Sequence, residues 1–89
     1  MNKVKTQEIY GLFLWNDSIN DMLDVVVAIF EVCHLPNTEC INTMQLAHES
    51  GRALIKTGAL DELDILAERL KARNLTITIE VMSGDKISV

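Results

Sequence analysis

The sequence predicts an α+β domain in which a three-stranded antiparallel sheet carries three helices on one face, in the order β-α-α-β-α-β. Three short apolar or alternating segments, typical of strands, are separated by longer segments in which apolar residues recur every three or four positions. The chain has 89 residues, 48% hydrophobic and 24% charged, a composition typical of one globular domain. We therefore expect a folded domain over residues 10–82, a flexible lead over 1–9 and a loose tail over 83–89.

The first strand and the first helix come from the first third of the chain. Residues 10–16 (YGLFLWN) are mostly apolar or aromatic, which suits a buried strand, and residues 16–18 supply turn chemistry. Asn20 or Ser18 is the expected cap of the helix that follows. Its apolar residues have helical spacing and are Met22, Val25, Val26, Ile29, Phe30 and Cys33. The His34-Leu35-Pro36 segment ends it.

A second helix is predicted directly after that segment. Asn37 or Thr38 is its expected cap, and Gly51 is expected to end it as the usual left-handed C-terminal residue. One arc of this helix contains Cys40, Ile41, Met44, Ala47 and His48. The arc is mostly apolar, so we expect it to pack against the rest of the domain.

The last third of the chain supplies two strands and one helix. Residues 52–57 (RALIKT) predict the second strand, and residues 75–81 (LTITIEV) predict the third because they alternate with β-branched residues. Residues 60–73 predict a helix, with acidic residues at its start and basic residues near its end, as the helix dipole favours. Its expected apolar stripe is Leu60, Leu63, Leu66, Ala67 and Leu70.

The charge balance argues against two classes of partner. Eight basic and thirteen acidic residues give a net charge of −5, whereas proteins that bind nucleic acid or anionic membranes normally present a basic face. No apolar run approaches the about 20 residues of a transmembrane helix. Two cysteines do not make a disulfide framework, so we expect a cytoplasmic protein. The Cys and His spacing matches no standard zinc pattern, and we expect no metal and no other cofactor.

His48 lies on the same side of the second helix as Met44, one turn away. A lone histidine on an apolar stripe is most often a packed core residue. If the first two helices pack together, however, they and the turn at Asn16-Asp17 would rim a small pocket with an apolar wall and a polar mouth. Such a pocket suits a ligand that has a bulky apolar group beside a cationic or hydrogen-bonding head.

With these residues in this order, the sequence resembles the ClpS family, the adaptors of the Clp protease that recognise N-terminal degrons. The resemblance spans about residues 10–80 and agrees with the predicted order of elements. The residues that carry it are Trp15-Asn16-Asp17, Met22, Val25, Val26, Met44, Ala47-His48, Gly51 and the last strand from Leu75 to Glu80.

The resemblance implies an adaptor without enzymatic activity. ClpS-like proteins bind a first residue that is Phe, Tyr, Trp or Leu, and they deliver its protein to the N-terminal domain of a AAA+ Clp unfoldase. By position, Asn16, Asp17 and His48 would contact the free α-amino group and first peptide unit of the degron. The residues implied for the hydrophobic pocket are Ile19, Met22, Val25, Met44, Ala47 and Leu75. Asp61 and Glu62 would contact the unfoldase.

This sequence departs from the family pattern at several places. Ser18 stands where a second Asp is common, and Asn20 where Thr is usual. The segment before the first strand is about nine residues, whereas a longer extension takes part in delivery in the family. An expected Lys is missing from the third helix, beside the acidic residues at 61–64. These departures bear on the preferred first residue and on delivery.

Two alternatives therefore remain open. A ClpS-like paralogue would dock on the unfoldase with altered or lost degron specificity, and Ser18 and Asn20 motivate this interpretation. A structural interaction module would use the same α+β plan, as the C-terminal domain of a ribosomal stalk protein does, with no pocket and no dependence on His48. An enzyme is least expected, because no nucleophile, base and orienting group are arranged together in the sequence.

Overall fold

The computed structural model describes residues 8–82, which form three strands and three helices in the predicted order. The strands are β1 (Tyr10–Trp15), β2 (Arg52–Gly58) and β3 (Thr76–Val81), and the helices are α1 (Met22–Cys33), α2 (Asn37–Ser50) and α3 (Leu60–Lys71). β1 lies in the middle of the sheet and pairs antiparallel with both β2 and β3. The predicted fold class is confirmed. Residues 1–7 of the predicted lead and the predicted tail, 83–89, lie outside the described residues.

One face of the sheet and all three helices share a single core. On β1, Leu12 pairs with Ile79 and Leu14 with Ile77, and this face is covered by the helices. The helix residues buried in the same core are Val25, Ala28, Ile29, Val32, Cys33, Cys40, Ala47, Leu63, Ala67 and Leu70. The α2 and α3 helices pack directly against the sheet and α1 packs against those two helices, and each helix buries one stripe in the shared core.

The other face of the sheet is held by a small polar and aromatic cluster. The Arg52 guanidinium lies 4.2 Å from the ring centroid of Phe13 and 2.5 Å from the carboxylate of Glu80. The indole N–H of Trp15 donates to the hydroxyl of Thr78 at 2.8 Å. These contacts fix the end of β1, from which the loop of residues 16–21 leads into α1.

The helix caps differ from those predicted. Asp21 precedes α1 and Pro36 precedes α2, and neither helix receives a capping bond from a side chain. Asn20 and Ser18, expected to cap α1, instead lie in the loop before it. The side chain that organises this loop is Asp17, whose carboxylate accepts two backbone N–H groups there. Side chains of this type bond to nearby backbone N–H groups, as expected. Here those bonds stabilise a turn rather than the first turn of a helix.

Some expected core positions are exposed. Phe30 is 45% exposed, Ile41 40% and Leu60 43%, because the rest of the domain covers only one side of each helix and these side chains lie away from that side. The third helix also ends at Lys71 rather than at 73. Residues 72–74 turn there, with Asn74 in the left-handed region, and Leu75 enters the core at 5% exposure.

Candidate functional site

A cavity of about 140 Å³ opens where the loop of residues 16–21 meets α1 and α2. Its polar lining residues are Asn16, Asp17, Ser18, Asn20 and His48. Its apolar lining residues are Leu14, Trp15, Met22, Val25, Met44 and Ala47. Seven residues that the sequence placed in the site therefore lie around one cavity, although they come from three separate stretches of the chain.

Burial divides the cavity into an apolar interior and an open rim. Leu14, Val25 and Ala47 are between 2% and 9% exposed, so they form its fully buried wall. Met22 is 46% exposed, and Asn16 and His48 are exposed as well. His48 is therefore a rim residue and not the packed core histidine of the alternative interpretation. A flexible thioether such as that of Met22 can adapt the wall to ligands of different shape.

Asp17 is the most extensively bonded side chain at the rim. Its Oδ1 accepts the backbone N–H groups of Ile19 at 2.9 Å and Asn20 at 3.0 Å. The Asn20 side-chain amide donates to Oδ2 at 3.2 Å, and the Thr76 hydroxyl donates to the same oxygen at 3.4 Å. These bonds, the one from the Asn20 backbone first, hold the pKa of Asp17 below its ordinary value. Asp17 is therefore a carboxylate at neutral pH.

The other two predicted polar residues are positioned by their backbones. The N–H of Asn16 donates to the carbonyl of Gly51 at 2.9 Å, and the N–H of Gly51 donates to the carbonyl of Ala47, also at 2.9 Å. Gly51 has φ +99°, a conformation that L side chains rarely adopt. This chain of bonds joins the end of β1 to the end of α2, where His48 lies. Within residues 8–82, the side chains of Asn16 and His48 make no hydrogen bond, which leaves their polar atoms available to a ligand.

Four predicted functional residues lie elsewhere. Ile19 is 81% exposed and is not part of the cavity lining. Leu75 is buried in the core and lines a second cavity, behind Asn20, rather than this one. Asp61 and Glu62 are exposed in the first turn of α3, and the Glu62 carboxylate lies 3.5 Å from the Lys56 ammonium.

The structure also adds lining residues that the sequence analysis did not place in the site. Leu14 and Trp15 directly precede Asn16, and this adjacency was the signal that could have identified them. Ser18 and Asn20 also line the cavity, and their departure from the family pattern was a signal for both. The position of the Asn20 amide could not be predicted, because it donates to the carbonyl of Asn74, 54 residues away.

Two features of the described residues bear on metal binding and on thiol reactivity. Nowhere in 8–82 do three His, Cys, Asp or Glu side chains form a group that could hold a metal ion. Cys33 and Cys40 are unpaired, buried thiols. Burial raises the pKa of Cys33 to about 11 and also raises that of Cys40, which disfavours the reactive thiolate. Among the helices of this part of the chain, none is long and apolar enough to cross a membrane.

Comparisons with known proteins give a matching family model and similar solved structures. The family model described as ATP-dependent Clp protease adaptor protein ClpS matches residues 5–78. A solved structure, that of Agrobacterium tumefaciens ClpS2 bound to L-phenylalaninamide, matches with a TM-score of 0.80 and 21% identity. The match covers 84% of this chain and 98% of that one, and it establishes likeness of fold. A comparison with curated protein sequences gives no match.

Proposed function

The chain belongs to the ClpS family of Clp protease adaptors, and from this premise we propose that it binds N-terminal degrons and delivers them to a AAA+ Clp unfoldase. The degron is a free α-amino group on a first residue that is Phe, Tyr, Trp or Leu. The observation that carries the proposal is the cavity itself, with a buried apolar wall beside an ionised carboxylate and two unengaged polar side chains. The proposal assigns no catalytic step to the protein.

The size of the cavity supports a single ring or a branched side chain as its occupant. Its volume is about 140 Å³, and an engineered apolar cavity of about 150 Å³ in another protein binds one benzene ring. Full burial of a Phe or Leu side chain contributes about 1.5–3 kcal/mol. L-phenylalaninamide, the molecule bound to the Agrobacterium relative, carries such a ring beside a free α-amino group. We therefore expect Phe, Tyr and Leu to fit directly, with Trp requiring Met22 or Met44 to move.

The polar rim supports recognition of the amino group. A free α-amino group has a pKa of about 7.7–8.0, so it is mostly a cation with three N–H donors at neutral pH. In our proposal Asn16 and His48 accept two of these donors, and Asp17 supplies the negative charge. Acetylation removes the charge and two of the donors, and it leaves acceptors that the bound residue shields from water without a partner, at a cost of about 1–3 kcal/mol each.

Fluorescence anisotropy with short labelled peptides tests degron binding. Peptides that begin with Phe, Tyr, Trp or Leu should bind with Kd values in the micromolar range or below, and Ala-first peptides should not. Acetylation should weaken binding at least about tenfold, as expected when one acceptor that the ligand shields from water loses its partner. His48→Ala should do the same, whereas Gln45→Ala, an exposed change on the same helix outside the cavity, should not. Failure of every free-terminus peptide to bind would refute degron recognition and favour a paralogue with a different ligand.

Delivery is a separate part of the proposal. We propose that the exposed carboxylates of Asp61 and Glu62 contact the N-terminal domain of the unfoldase through basic groups on that domain. The double variant Asp61→Asn/Glu62→Gln should weaken binding to an isolated Clp unfoldase N-terminal domain, and Glu68→Gln, exposed later on the same helix, should not. Equal binding by both variants would show that the contact lies elsewhere.

We also propose the cytoplasm as the compartment of this protein. Its two cysteines are unpaired, which suits a reducing environment.

A further inference from the structure

Asn20 links two parts of the molecule that are far apart in sequence. Its side-chain amide donates to both oxygens of Asp17, at 3.4 Å and 3.2 Å, and to the backbone carbonyl of Asn74 at 2.8 Å. Asn74 lies in the turn between α3 and β3 and has φ +70°. One side chain therefore ties the rim of the degron cavity to the turn that precedes β3.

The same residue lies between two cavities. Asn20 lines the degron cavity of about 140 Å³, and it also lines a second cavity of about 310 Å³ beside Asp24, Arg73 and Asn74. Removal of its side chain would leave Asp17 without its amide donor. Asp17 would then keep only the two backbone N–H groups and the long bond from Thr76.

We infer that Asn20 is the positioning residue for amino-group recognition, because it holds the Asp17 carboxylate in place while Asn16 and His48 contact the ligand. This inference rests on the proposed degron function. A carboxylate that is fixed before binding loses less conformational freedom when the cation arrives, and so contributes more to affinity. The contribution of Asn20 is therefore specific to ligands that carry the α-amino group, and it acts through Asp17.

A double-mutant cycle with two ligands tests the inference. One ligand is a labelled peptide that begins with Phe, and the other is its 3-phenylpropionyl analogue, which keeps the ring and lacks only the amino group. We expect Asn20→Ala to raise the Kd of the Phe peptide about 5- to 10-fold, which is roughly the net value of one hydrogen bond. The Kd of the analogue should rise less than about twofold. Asp17→Asn should have a similar selective effect. The double variant should be no weaker than Asp17→Asn alone, because coupled residues are not additive.

A second variant separates positioning from folding. Asn20→Leu keeps the volume between the two cavities but removes both donors, and it should show the same selective loss. Asn42→Ala, an exposed change on α2, is the control and should leave both Kd values unchanged. Thermal melts of each variant show whether the protein is folded.

The outcomes distinguish this inference from the function on which it rests. If the wild-type protein does not bind the Phe peptide, the proposed function fails. If the wild-type protein binds, two results would overturn the positioning inference and make Asn20 only structural. One is an equal loss of affinity for both ligands in either Asn20 variant, and the other is additivity of Asn20→Ala and Asp17→Asn.

Discussion

Ala47→Val is the substitution that most directly tests whether the cavity takes the first side chain of a degron. Ala47 is 2% exposed and lines the cavity, so two added methyl groups must occupy part of its about 140 Å³. The surrounding core is close-packed and cannot absorb them. Burial of a Phe ring contributes about 1.5–3 kcal/mol, and loss of about half of it corresponds to about 0.75–1.5 kcal/mol, or roughly 3- to 12-fold in Kd.

Ala67→Val is the matched control for this measurement. Ala67 is also 2% exposed and also lies within a helix, α3, but it faces the packed core and not the cavity. Both substitutions carry the same loss of helix propensity. Ala67→Val should lower the free energy of unfolding by about 1–3 kcal/mol through overpacking, with little change in peptide affinity. Ala47→Val should lower the free energy of unfolding by less, because its added methyl groups enter the cavity rather than packed core.

The assay combines urea denaturation of both variants with anisotropy titration of a Phe-first peptide. The reasoning is refuted if Ala47→Val destabilises the protein as much as Ala67→Val does while the Kd for the peptide stays within about twofold of wild type. That result would mean that position 47 is ordinary core and that the ring binds elsewhere.

Three further predictions concern the residues around the cavity. Gly51→Ala should lower the free energy of unfolding by about 1–3 kcal/mol, because an L side chain is strained at φ +99°; an unchanged melting temperature would contradict this. The folded pKa of Asp17 is lowered, so its stabilising contribution is present above the unfolded value of about 3.9 and is lost as the pH falls through the folded value. Denaturation curves between pH 7 and 3 should therefore show a steeper acid loss in the wild type than in Asp17→Asn, and equal slopes would refute the assignment. Cys33 and Cys40 should react slowly with iodoacetamide at pH 8 in the native state and rapidly in urea, since burial raises both pKa values; fast labelling of the folded protein would show that the thiols are accessible.

The elements of the fold were predictable because their signals are local. The spacing of Val25, Ile29 and Cys33 predicted which side of α1 is buried, and Gly51 marked the end of α2. The errors came where two local preferences compete or where packing decides. Residues 16–20 have the side chains of a helix cap, yet Asp17 satisfies the backbone of a turn instead. Leu60 has the right spacing, but it is the first residue of α3 and is 43% exposed.

The site was predictable only in part, and for a different reason. Resemblance to a family implied Asn16, Asp17 and His48 as ligand contacts, and the fold brings all three to one cavity. Resemblance also implied Leu75 as a lining residue. The turn at residues 72–74 takes that side chain into the core instead.

By itself, the sequence determined the order of strands and helices, the buried stripe of each helix, the acidic charge and the residue types available for a site. Only the tertiary structure decided which of these side chains meet and what holds them. The bonds from Asn16 to Gly51, from Asn20 to Asn74 and from Thr76 to Asp17 join residues 35, 54 and 59 positions apart. Such bonds depend on how whole elements pack against each other, and a local pattern of apolar and polar residues contains no information about that packing.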